Sequence, residues 1–294
     1  MSESFISLLE KPNLDLPTLA LAVKAQDLPD HYRWAIANSF ALEYTPDPAC
    51  FELLANHLDP AIKAGVPIRF HGRYFGHEIG HPDSRISDSA MRVHLATLET
   101  MHRKSEPVVT FHLGLCHREP FDPDKGVRNL ALLVDAARTR NITICLENLR
   151  RGPASHPENI AAWAEASGAS ITLDIGHARS CKRVQSGELL VTDFIDSFAE
   201  RLCEVHIYGH ESDRHYPINN MASFEPIVDR LLETSCRWWT IELEDPIEAL
   251  STRELIQNYL RTRCRPESGP IWQQPCLNEW TANFAERPQV PLGF

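Results

Sequence analysis

Residues 141–178 read NITICLENLRRGPASHPENIAAWAEASGASITLDIGHA, and the order of patterns in this stretch decides the fold. An apolar, β-branched run over 142–147 ends on Glu147, an amphipathic segment over 157–166 follows, and a second β-rich run over 170–174 ends on Asp174. Strand, helix, strand at this spacing is one unit of a parallel sheet, because two parallel neighbours need a long crossover between them. Pro157 sits where the first turn of a helix tolerates proline.

Working outward, the same alternation recurs along the chain. Strands are expected over 18–23, 40–44, 66–71, 108–112, 142–147, 170–174, 203–207 and 239–242, with helices over 48–64, 87–104, 124–139, 157–166, 188–199, 224–233 and 247–261. Eight strands alternating with helices predict an α/β chain folded as a (β/α)8 barrel with parallel strands. The connection between the first two strands is the least defined, and Leu19, Leu21 and Val23 also fit the start of a helix. Residues 1–264 are read as one barrel domain. From Arg265 onward composition shifts to Pro, Gly, Gln and Trp without periodicity, so 265–294 is read as a tail, a lid or an oligomer arm.

Composition narrows the function classes. The chain has 294 residues, 43% of them hydrophobic, and a net charge of −11. No apolar run approaches the ~20 residues of a membrane span, and the first residues lack the pattern of a secretory signal, so a cytoplasmic protein without a membrane partner is expected. The eight cysteines never form a CxxC, and those inside apolar runs, such as Cys145 and Cys203, suit a reduced compartment. The acidic balance speaks against a broad nucleic-acid footprint.

Six strands finish on, or just before, a metal-capable side chain: His71, His112, Glu147, Asp174, His206 and Glu242. Each alone is as often an ordinary solvated strand end. In a parallel barrel, however, all strand C-termini share one face, so the six would meet in one mouth. Carboxylates gathered without a cation would repel one another and be driven toward protonation, so the set makes sense mainly with metal. His177 follows Asp174 in DIGHA, and Asp213 with His215 form DRH after the seventh strand. His77, His81 and His210 fall in loops on the same side.

This combination, carried by FHGRY, TFHLG, LEN, LDIGHA, VHIYGHESDRH and IELE between residues 66 and 242, resembles the xylose-isomerase-like barrel superfamily, and within it the endonuclease IV branch. The resemblance implies a trinuclear site. His71, His112 and Glu147 would hold one ion; Glu147, Asp174, His206 and Glu242 a second, sharing Glu147; and His177, Asp213 and His215 a third. Oxygen and imidazole donors suit two or three Zn²⁺ ions, with Mn²⁺ the alternative. Glu147, Glu242 and His177 are the implied catalytic groups, and Arg73, Tyr74 and Arg150 the implied substrate contacts.

The implied activity is metal-dependent hydrolysis of a small, anionic, nucleotide-like phosphodiester, in the manner of the cobamide-remodelling hydrolases of this superfamily. Its sugar isomerases and epimerases give the alternative, using Glu147, Asp174, His206 and Glu242 around one ion. A DNA repair role like that of endonuclease IV is a third reading. The acidic TPDPAC after the second strand and the short segment between His206 and Asp213 speak against duplex DNA as partner. A metal- or ligand-binding barrel without turnover also stays open, as does an oligomer.

Overall fold

A computed structural model of the chain describes residues 16–25, 30–51, 54–101 and 106–264. In chain order the elements are β1 (Thr18–Lys24), α1 (Asp30–Ala37), β2 (Ala41–Thr45), α2 (Leu54–Lys63), β3 (Ile68–His71), α3 (Ser84–Met101), β4 (Val108–Phe111), α4 (Pro123–Arg138) and β5 (Thr143–Glu147). They continue with α5 (Pro157–Ser167), β6 (Ser170–Asp174), α6 (Ile175–Ser180), α7 (Lys182–Gln185), α8 (Val191–Phe198) and β7 (Leu202–Ile207). A small hairpin of β8 (His210–Glu211) and β9 (His215–Tyr216) precedes α9 (Glu225–Leu232), β10 (Trp238–Ile241) and α10 (Pro246–Cys264).

Eight strands close in the order β1-β10-β7-β6-β5-β4-β3-β2, and every pairing around the ring is parallel. This is the (β/α)8 barrel that the periodicity predicts. Leu19, Leu21 and Val23 lie in β1. The expected tail 265–294 and parts of the helices expected over 48–64 and 87–104 lie outside the described residues. No described helix is long and apolar enough to cross a membrane.

Alternation along each strand separates two environments, since successive side chains point to opposite faces. In β5, Ile144 and Leu146 face the helices while Cys145 and Glu147 face the barrel axis; in β6, Ile171 and Leu173 alternate with Thr172 and Asp174. The outward set joins the continuous apolar core with buried residues such as Leu130, Leu133 and Ile160. The inward set is unusually polar. The hydroxyls of Thr110 and Thr172 meet at 2.7 Å, and Thr240 donates to Glu204 at 2.9 Å. These contacts satisfy groups that would otherwise be stranded away from water.

Candidate metal centre

The strand ends deliver their side chains to one buried cluster. His71 closes β3, Glu147 closes β5 and Asp174 closes β6, while His112 and Glu242 come one residue after β4 and β10. Asp174 also caps α6, its Oδ1 accepting the His177 N–H at 2.6 Å. Gly176 lets the α6 backbone lie against the Tyr208 ring, which a β-carbon would strike. That close approach brings the Tyr208 hydroxyl to Asp174 Oδ2, to which it donates at 3.1 Å.

Glu147 Oε2 lies 3.2 Å from His71 Nε2, 2.9 Å from His112 Nε2 and 3.4 Å from His206 Nδ1. Although three ring nitrogens surround it, this oxygen has no hydrogen bond of acceptable geometry, nor has His206 Nδ1. The two Nε2 atoms of His71 and His112 are 3.3 Å apart. Donors bound at 2.0–2.1 Å to one tetrahedral zinc would stand about 3.3 Å from one another, so the separations suit donors sharing a cation better than a hydrogen-bonded network.

Four sets of residues bring ligand atoms within 4.8 Å of each other: His71, His112 and Glu147; Glu147, Asp174 and His206; Glu43, His71, His206 and Glu242; and His177, Glu211 and His215. Orientation is fixed by the far side of each ring. The Nε2–H of His206 donates to Glu43 Oε1 at 2.9 Å, which turns Nδ1 toward Glu147 and Glu242, at 3.4 and 3.6 Å. His177 Nδ1–H donates to the Asn148 carbonyl at 2.9 Å, and His215 Nδ1–H to the Glu242 carbonyl at 2.8 Å. The bare His177 Nε2 faces Glu211 Oε2 at 3.3 Å. Outer hydrogen bonds of this kind hold ligand imidazoles in the tautomer a metal requires.

Electrostatics agrees. Burial, with the Glu147 and Glu242 charges, pushes the Asp174 carboxyl well above the usual carboxylate range. Burial works in the same direction on Glu147, but His112 and His206 outweigh it and hold this carboxyl well below its ordinary value. Burial opposes a charge on His71; Glu43, then Glu147 and Glu242, overcome it and lift the imidazole to about 10. For His177 burial wins, and its pKa falls to about 4. A cation among these groups would relieve the repulsion that Asp174 otherwise absorbs as a proton.

Three placements correct the sequence reading. Asp213 does not join His177 and His215: it sits exposed at the turn between β8 and β9, where Tyr216 donates to its Oδ1 at 2.9 Å. Hairpin register explains why, since Glu211 is paired across from His215 and so shares its face. Tyr74 is buried, its hydroxyl 2.9 Å from Thr97, and is not presented to the mouth. Arg150 donates to the carbonyls of Glu211 and Ser212, both at 2.9 Å, and braces the hairpin. Arg73 is partly exposed and faces the centre; burial lowers its pKa, but Glu242 and Glu147 more than reverse that. Among the ambiguous histidines, His77 offers its carbonyl to His94, and His210 stacks on Tyr216.

Glu43 and Glu211 are the residues sequence reasoning misses. Glu43 lies inside β2 instead of at its end, and its signal is a single acid flanked by Leu42 and Tyr44 in a buried run. Glu211 is hidden beside Asp213 in HESDRH.

Comparison with known proteins shows what the chain and its fold are similar to. An uncharacterized protein of Methanocaldococcus jannaschii is 32% identical over 158 residues, covering 53% of this chain and 68% of that protein. Among solved structures, a D-tagatose 3-epimerase-like protein superposes with a TM-score of 0.68 at 17% identity, over 83% of this chain and 97% of the other. A Thermus thermophilus protein soaked with ZnCl2 gives 0.68 at 19% identity, over 83% and 98%. Endonuclease IV of the same organism gives 0.60 at 15% identity, over 84% and 100%. Residues 34–262 match the family model described as xylose isomerase-like TIM barrel, and the chain belongs to that family.

Proposed function

We propose that the protein is a metal-dependent phosphodiester hydrolase whose substrate is a small, nucleotide-like phosphodiester, with the nucleotide loop of a cobamide as one candidate. The observation that carries this reading is the third donor group, His177, Glu211 and His215, standing beside two groups that share Glu147. Proton transfer next to a sugar carbonyl needs only Glu147, Asp174, His206 and Glu242 around one ion. A second and third set of donors is superfluous there and useful for a phosphodiester, whose entering and leaving oxygens both carry charge.

The donors are imidazole and carboxylate without thiolate, which suits zinc, with manganese the alternative. Two or three such ions, when bound, supply Lewis acidity and lower the pKa of coordinated water. The chain's own residues do the positioning. Glu147 lies between the first two donor groups, Tyr208 and the α6 cap fix Asp174, and Glu43 aims His206. Arg73 brings a permanent positive charge to the mouth, where an anionic group would dock. Arg150 acts through the hairpin and not on the substrate.

A small substrate is favoured over duplex DNA by the net charge of −11, the acidic segment after β2 and the short hairpin after β7. One observation keeps the epimerase reading as runner-up: Glu147 and Glu242 both bring a carboxylate oxygen near His206 Nδ1, at 3.4 and 3.6 Å, and a two-base proton shuttle needs a pair of carboxylates at one site. A parallel screen decides, using nucleotide-type phosphodiesters including cobamides, abasic duplex DNA and ketoses, with metal counted and a metal-stripped control. Metal-dependent cleavage of a small phosphodiester is expected. Ketose epimerisation by protein holding one ion would replace the proposal with the runner-up, and steeply salt-dependent incision of abasic DNA would return the protein to DNA repair.

A further inference from the structure

One aromatic side chain touches two of the donor groups and belongs to neither. Tyr208 comes one residue after β7, two beyond His206, and is fully buried. The α6 backbone lies against its ring at Gly176, where an added β-carbon would come within 2.0 Å of Tyr208 Cε2. The His215 imidazole lies flat on the ring, with centroids 4.0 Å apart and planes 7° from parallel. The His177 imidazole stands edge-on to it, at 6.4 Å and 85°. The hairpin that carries His215 is itself held down, since the Gly209 N–H donates to the Tyr216 carbonyl at 2.7 Å and the Glu211 N–H to Ser180 Oγ at 2.8 Å.

These contacts give one ring two tasks. Its hydroxyl donates to Asp174 Oδ2 at 3.1 Å, and Asp174 stands with Glu147 and His206 in one donor group. Its face backs His215, which stands with His177 and Glu211 in another. We propose that Tyr208 is a positioning residue for both groups at once, the hydroxyl aiming Asp174 and the ring aiming His215. The proposal rests on the reading that both groups hold ions.

Each ligand needs two anchors to be fixed, and Tyr208 supplies one to each. His215 donates from Nδ1–H to the Glu242 carbonyl at 2.8 Å. That bond alone would let the imidazole swing about its axis, and the flat contact with Tyr208 removes the swing. Asp174 accepts the His177 N–H on Oδ1 at 2.6 Å. Without a donor on Oδ2 the carboxylate could turn about its own Cβ–Cγ bond, so the phenol sets which oxygen faces Glu147 and His206. A phenylalanine would fill the same space, so packing does not require the hydroxyl. A buried hydroxyl is costly unless bonded, and here its partner is a candidate ligand. Outer contacts of this kind govern ligand orientation and hence affinity.

The test is a titration of the metal-stripped full chain with Zn²⁺ against a chromogenic chelator, in which Glu211→Gln marks the step that belongs to the His177, Glu211 and His215 group. Tyr208→Phe keeps the stack and deletes the hydroxyl. It should weaken the Asp174 step about tenfold or more and leave the His215 step within about twofold. Tyr208→Leu deletes both contacts and should weaken the His215 step as well, by about tenfold. Recovery of that one step by an aromatic ring without its hydroxyl is a result that a general packing role does not give. Equal weakening of both steps by Tyr208→Phe, or wild-type affinity in that variant, would overturn the proposal and leave the multinuclear reading standing. A wild-type chain that takes up a single Zn²⁺ would overturn both. If Tyr208→Leu does not fold, Tyr208→Phe still decides, because selectivity between the two steps is what it reads.

Discussion

Glu204 and Glu147 are both fully buried carboxylates inside one barrel, and they are satisfied in different ways. Toward the N-terminal end, Glu204 meets Arg69 at 3.4 Å and accepts from Thr240 at 2.9 Å. Burial and Glu43 lift it to about 8 against the pull of Arg69, so it can also keep a proton. Toward the mouth, the ion-pair contacts of Glu147 among the described residues are with imidazoles, and one of its oxygens is left without a well-formed hydrogen bond. A permanent guanidinium closes a site; titratable ring nitrogens leave it able to accept a metal cation. The lower half is therefore closed by its own charges, and the upper half keeps donors that could hold a cation.

The sharpest break of that contrast is Glu147→Gln. The change keeps shape but removes the charge shared by two donor groups, so turnover should drop by at least about 10³-fold. Metal content should fall with it while the melting temperature of the metal-stripped protein holds. Full metal and normal turnover in this variant would end the bridging role.

Arg69→Leu tests the other half. It removes the Arg69 contacts with Glu204, Trp238 and the Cys203 carbonyl while Glu204 keeps a proton and its Thr240 partner, at a cost of roughly 1–3 kcal/mol. Denaturant unfolding should register the loss with metal stoichiometry intact; a loss of metal would show that the two halves are not separable.

His94 sits between the two behaviours, buried, edge-on to Phe111 and bonded through Nε2 to the His77 carbonyl. Burial lowers its pKa to about 4. Since the unfolded value is near 6.5, its stabilising contribution is present above that pH and is lost as pH falls toward 4, by up to about 3 kcal/mol. His94→Phe should flatten this acid limb in a pH series of unfolding curves, and an unchanged limb would assign it elsewhere.

Smaller effects refine the upper half. Glu43→Gln should weaken metal affinity about tenfold to a hundredfold, because His206 loses a basic partner on its far nitrogen; competition with a chromogenic chelator measures it. Glu211→Gln should weaken the third group by up to about tenfold, whereas Asp213→Asn should change affinity less than about threefold. The reverse order in the same titration would restore Asp213 as the ligand.

The strands were readable because each is a short β-branched run, and six candidate ligands were readable because a parallel barrel turns strand ends into a single address. Glu43 escaped this logic because it reaches the cluster from within β2. Glu211 escaped because a neighbouring Asp213 offered the same chemistry, and only the pairing of β8 with β9 separates the face of the hairpin from its tip. Helices α6 and α7 are too brief to leave a 3.6-residue period. Which imidazole nitrogen is free was never legible, since it depends on carbonyls and carboxylates far away in sequence.

The hairpin of β8 and β9 has a consequence for how such an enzyme changes over evolutionary time. It carries two of the three donors of one group, Glu211 and His215, on a few residues inserted between β7 and α9 and outside the eight-stranded ring. Trimming or lengthening this insertion would delete or re-aim that group while every strand kept its register. If the three groups hold ions as proposed, ion number would be a trait inherited with a loop, and a lineage could trade one chemistry for another there without renegotiating the core.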